Sequence, residues 1–164
     1  MGVSRYDHAM SRVIFMCGPA GTGKSTIARR YEADGMVRLS VDTEAWARGH
    51  RTMPLPEAAG AEIMAELEQH LLTCVREGQD VVLDLSFWSR EMRDHWRALL
   101  LPSGIIPEIV QVVASRETVL ARLEARAAEH GDDFRLPHAL AEVYYDHFQP
   151  PTDDEGPVTV IRTD

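Results

Sequence analysis

Five short apolar runs divide the chain: Arg12 to Cys17, Met36 to Ser40, Asp80 to Leu85, Glu108 to Ala114 and Val158 to Ile161. Each has strand length. Between them the apolar positions recur at helical spacing. Ile63, Met64, Leu67, Leu71, Leu72 and Val75 form one stripe of a helix from Glu57 to Glu77, which Gly78 ends. Ser89 reads as the N-cap of a helix reaching about Leu101, with Glu91 in its first turn and Pro102 and Gly104 breaking it. Shorter helical segments run from Thr26 to Asp34, from Arg116 to about His130 and from Pro137 to His147. The stretch from Thr43 to Pro56 reads as irregular or only briefly helical, and Pro150 to Pro157 as a solvated turn. Strands alternating with helices imply βαβ units, hence a parallel sheet covered on both faces.

The segment between the first strand and the first helix carries the chemistry. Gly18-Pro-Ala-Gly-Thr-Gly-Lys-Ser25 matches G-x-x-x-x-G-K-[ST] in full, in the strand-loop-helix setting that this motif requires. Its glycines let successive amides point inward, making a nest for phosphate oxygens at the positive end of a helix. Gly18, Ala20, Gly21, Thr22, Gly23, Lys24, Ser25 and Thr26 are therefore the candidate binding residues for a nucleoside triphosphate. Lys24 reaches toward the terminal phosphates, and Ser25 offers a hydroxyl to Mg²⁺. Lys24 is the single lysine among 17 basic residues, kept where a compact ammonium suits better than a planar fork. The fold class is thus a three-layer α/β/α P-loop NTPase with a five-stranded parallel sheet.

Two carboxylates follow strands and so belong at the ligand-holding edge. Asp84, after Val81-Val-Leu83, has the form of a Walker B residue acting on Mg²⁺ or its water shell, or else it caps the next turn. Asp42 is either the base that takes a proton from an acceptor hydroxyl or the N-cap of a helix starting at Thr43. Arg122 and Arg126, four apart, share a helix face and make a candidate lid over a transferring phosphoryl group, with solvated surface as the alternative. Arg90 and Arg93 bind substrate anions or sit on an exposed helix, and Phe87 and Trp88 wall a substrate pocket or pack in the core. Trp46 and Trp96 share that ambiguity. The seven histidines show no metal-ligand spacing.

Length and charge narrow the setting. With 164 residues the expectation is one domain over residues 12–164, a loose lead-in over 1–11 and a helical lid near 116–135. A net charge of −9 disfavours long nucleic acid as a partner, although residues 1–31 are locally basic. Cys17 and Cys74 read as buried free thiols; with no apolar run of spanning length, the expectation is a cytoplasmic protein with no membrane partner.

The P-loop, Asp42, Asp84-Leu-Ser-Phe-Trp-Ser-Arg90 and Arg122-Leu-Glu-Ala-Arg126 together resemble the small P-loop kinases. That group includes gluconate kinase, shikimate kinase, chloramphenicol phosphotransferase, zeta toxin and the kinase domain of polynucleotide kinase. Residues 130–155, with Leu136-Pro-His-Ala-Leu140 and Phe148-Gln-Pro-Pro151, are most similar to the gluconate kinase pattern. Here Gly131-Asp-Asp133 separates His130 from Phe134, and Leu85-Ser-Phe-Trp-Ser89 lacks the polar signature of the sugar-acid enzymes. The resemblance implies ATP- and Mg²⁺-dependent transfer to a hydroxyl of a small molecule, such as a sugar acid, nucleoside or antibiotic, with the acceptor wall in residues 42–55 and 85–93. A polynucleotide 5′-hydroxyl or nucleotide-sugar kinase is the second reading, and a nucleotide-responsive binding module the third. GTP is disfavoured, because no Asn-Lys-x-Asp segment is present.

Overall fold

The computed structural model describes residues 10–128 and 136–164. The expected helix end and loop over 129–135, including His130 and Phe134, lie outside the described residues, as does most of the lead-in. Five strands form one sheet: β1 (Val13–Cys17), β2 (Val37–Ser40), β3 (Val81–Asp84), β4 (Glu108–Val113) and β5 (Val158–Arg162). Their order is β2-β3-β1-β4-β5, and every pairing is parallel. Among the described residues six α-helices flank the sheet: α1 (Lys24–Ala33), α2 (Val41–Ala47), α3 (Glu57–Arg76), α4 (Arg90–Leu100), α5 (Arg116–Ala128) and α6 (His138–Asp146). No helix among the described residues is long and apolar enough to cross a membrane.

Alternation along β1 divides the core in two. Val13, Phe15 and Cys17 face α3 and α4 and pack with Ile63, Leu67, Leu71, Trp96 and Leu100. Ile14 and Met16 face the other way and pack with Ile27 and Ala28 of α1. A central strand buried on both sides must be apolar at every position, as the sequence pattern requires. Cys17 and Cys74 are free and buried, and burial pushes the Cys17 thiol up to about 12.

Three local expectations are corrected. The brief helix after β2 starts at Val41 and not at Thr43, because the Ser40 hydroxyl accepts the Thr43 amide at 3.2 Å and caps α2; Asp42 is a first-turn residue, not the cap. The turn near residue 155 is not wholly solvated. Glu155 is buried and accepts Arg93 Nε at 2.7 Å, so Arg93 is neither exposed nor open to a substrate anion. Arg93 further donates to the carbonyls of Phe87 (2.7 Å), Gln149 (2.8 Å) and Pro150 (3.4 Å), tying α4 to the segment that leads into β5. Ser89 caps α4 as expected, accepting the Met92 amide at 3.1 Å.

Candidate active site

The loop between β1 and α1 is shaped by what its glycines allow. A Cβ on Gly18 would lie 2.8 Å from both Thr22 Oγ1 and the Val112 carbonyl. Gly21 has φ +89° and would meet Val119 at 3.0 Å and Leu123 at 3.1 Å, so α5 presses directly on the loop. Gly23 precedes α1 in the left-handed conformation and provides no side-chain cap; the first turn of α1 contains no acid. By contrast α2 and α4 each have a serine cap and a carboxylate in the first turn. The positive end of α1 is thus left for an external anion, with Lys24 tucked beside it.

This loop opens onto a cavity of about 1110 Å³. Ala20, Gly21, Gly23, Lys24, Ser25 and Thr26 line it from the loop side; Asp42, Asp84, Trp88 and Arg126 line it from elsewhere. Residues up to 128 positions apart in sequence, Pro19 and His147, therefore share one chamber. Asp84 is buried; its Oδ2 accepts Arg38 Nη1 at 3.3 Å, while its Oδ1 has no hydrogen-bond partner. An orphaned carboxylate oxygen, with the Ser25 hydroxyl lining the same cavity, is a donor set of the hard-oxygen type that suits Mg²⁺. Among the described residues no cluster of three or more His, Cys, Asp or Glu offers another cation site.

Several expected site residues stand elsewhere. Gly18 and Thr22 shape the loop without lining the cavity: the Gly18 amide donates to the Ser86 carbonyl at 3.0 Å, and the buried Thr22 hydroxyl donates to the Pro19 carbonyl at 3.0 Å. Arg122 does not line the cavity with Arg126. Its guanidinium donates to the carbonyls of Gly21 and Thr22, each at 3.3 Å, and to the Thr163 hydroxyl and carbonyl at 2.9 and 2.8 Å, bracing the loop against the end of β5. Phe87 is 0% exposed, stacked on Phe15 with centroids 4.2 Å apart, so it belongs to the core while neighbouring Trp88 is 52% exposed on the cavity. Positive φ at Ser86 (71°) and Phe87 (50°) turns the chain between them. Arg90 faces away, bound to Asp94 at 2.9 Å and Asp154 at 2.9 Å, which holds the Asp154 carboxyl down at about 2. Trp46 joins the cavity, whereas Trp96 is buried in the core.

Arg38 is the residue the sequence pattern does not single out. Its side chain is only 12% exposed, it lines the cavity, and besides Asp84 it donates to Thr43 Oγ1 at 3.3 Å. A signal existed: a charge inside a short strand of a sheet covered on both faces must find a partner. Arg29, Met53, Met64, Met92, Tyr144 and His147 also line the cavity and carry no motif.

A family model for the AAA domain matches residues 13–151. No curated protein matches the chain. Among solved structures the chain is similar to a candidate kinase of Chloroflexus aurantiacus, at 21% identity and TM-score 0.71, over 93% of this chain and 88% of that one. It is similar to a gluconokinase of Sinorhizobium meliloti at 20% identity and TM-score 0.64, over 93% and 83% of the two chains. It is also similar to the APS kinase CysC of Mycobacterium tuberculosis, solved with AMPPNP and APS, at 19% identity and TM-score 0.63, over 94% and 90%.

Proposed function

The chain belongs to the AAA domain family and has a P-loop kinase-like fold, and on that premise we propose that it transfers the γ-phosphoryl group of ATP to a hydroxyl of a small molecule, with Mg²⁺. One observation carries this reading: Lys24, Asp42, Asp84 and Arg126 open onto a single cavity that continues well past the phosphate loop. A protein that only held nucleotide would have no use for the carboxylate-bearing part of that cavity beyond the loop.

In this reading the amides from Gly21 to Thr26 cradle the β- and γ-phosphates. Ser25 and the open Oδ1 of Asp84 hold Mg²⁺ or its water, and the ion when bound supplies Lewis-acid polarisation of the phosphate oxygens. Lys24 and Arg126 offset the charge that spreads over the equatorial oxygens during transfer. Asp42 accepts the acceptor's hydroxyl proton as the new oxygen–phosphorus bond forms and the bond to the β-γ bridging oxygen breaks, releasing ADP. Arg122 acts one step back, keeping the loop in the shape that receives the phosphates.

The test is Asp42→Asn, assayed by ADP release with an acceptor panel and by fluorescent-nucleotide binding. Transfer falls by about 10²–10⁴-fold while nucleotide affinity stays within about twofold. Unchanged turnover would remove Asp42 from the chemistry. Absence of acceptor-dependent turnover in the unaltered chain would favour a nucleotide-responsive module.

A further inference from the structure

The wall that faces an acceptor is apolar to a degree that decides what fits there. Beyond Asp42 the cavity is lined by Trp46, Met53, Met64, Trp88, Met92 and Tyr144. Trp88 and Tyr144 are 52% and 39% exposed, large apolar groups left open on a concave surface. Neither tryptophan is loosely placed. The Arg51 guanidinium lies 3.7 Å from the Trp46 ring centroid, and the Trp88 carbonyl accepts the Gln149 amide at 2.8 Å next to the core-locked Phe87. Thioether and indole surfaces favour flat π-systems. They offer few partners to the many hydroxyls of a polyol, which are costly to bury unpaired.

Charge points the same way. Lys24, Arg29, Arg38 and Arg126 face the cavity against Asp42 and Asp84, an excess of positive charge that the anionic magnesium–triphosphate complex takes up. Arg38 is ion-paired with Asp84 at 3.3 Å and with Glu32 at 3.6 Å and donates to Thr43, so its charge is balanced before an acceptor arrives. Resting on the kinase reading above, we propose that the acceptor is an uncharged alcohol carrying a flat unsaturated ring, which lies against Trp88 and the methionines. A sugar acid or phosphate ester is excluded.

Saturation-transfer NMR on the full chain loaded with Mg·AMPPNP, using thymidine, 2-phenylethanol and gluconate as probes, tests this. The ring-bearing alcohols bind at least about tenfold tighter than gluconate; Trp88→Ala weakens them by about tenfold, Trp88→Phe restores most of the loss, and Mg·AMPPNP affinity is unmoved in both variants. Gluconate binding as tightly as the ring alcohols, no binding of either, or ring alcohols indifferent to Trp88→Ala would each overturn the assignment. Failure of the unaltered chain to bind Mg·AMPPNP counts instead against the kinase reading. Binding of the same probes to the nucleotide-free chain then decides the wall by itself.

Discussion

Two arginine–carboxylate pairs in this molecule, one in the core and one on the cavity wall, look alike in composition and differ in completeness. Arg93 and Glu155 are 1% and 0% exposed in their side chains, and the five donors of Arg93 reach Glu155 twice and the carbonyls of Phe87, Gln149 and Pro150. Arg38 and Asp84 meet at 3.3 Å on the cavity wall, yet Arg38 Nε and Asp84 Oδ1 have no hydrogen-bond partner. The complete pair is fastening. The incomplete one retains capacity for a ligand at Asp84 Oδ1, because buried polar atoms without partners are costly unless something arrives to satisfy them.

The sharpest way to break the comparison is to damage the complete pair. Glu155→Gln leaves a buried guanidinium uncompensated and lowers stability by about 3–5 kcal/mol, read by thermal or denaturant unfolding. Acid acts on the same carboxylate. Burial by itself would raise its pKa, but hydrogen bonds from Arg93, the Thr152 amide and Arg97 reverse this and bring it to about 2 from the ordinary 4.5. The folded-state value is depressed, so this stabilisation is complete above pH 4.5 and is lost as pH falls toward 2, on the order of 3 kcal/mol in all. A denaturant midpoint independent of pH across that window would contradict the assignment.

Damage to the incomplete pair has a different signature. Asp84→Asn barely moves the unfolding midpoint, while Mg²⁺-dependent nucleotide affinity drops by about 10–100-fold, measured by calorimetry with and without the ion. Equal loss without Mg²⁺ would show that Asp84 acts on the fold. The smallest effect comes from the exposed bridges of Arg90 to Asp94 and Asp154: Arg90→Ala shifts the unfolding midpoint only slightly and leaves the acceptor KM unchanged. A raised KM would return Arg90 to the site.

Much of this was legible in the sequence because it is local. The strand, the glycines, Lys24 and Ser25 lie within 13 consecutive residues and need no distant partner to be recognised. The Ser89 cap and the end of α3 at Gly78 are local too. What the sequence hid is long-range or depends on turn geometry. Arg93 and Glu155 are 62 positions apart, so nothing nearby distinguishes them from surface charges. Arg122 and Arg126 share a helix, but contact with Thr163 turns one to the loop while the other lines the cavity. Phe87 and Trp88 are chemically alike and adjacent, and only the positive φ values at 86 and 87 send one inward and the other to the cavity.

The bond from the Gly18 amide to the Ser86 carbonyl makes the glycine-rich loop and the segment bearing Trp88 two ends of one short backbone strut. In the kinase proposed above, the gap that a phosphoryl group would cross is then set by main-chain geometry rather than by the side chains that clothe the wall. Substrate preference can drift through positions such as 88 over evolutionary time without the transfer distance having to be invented again.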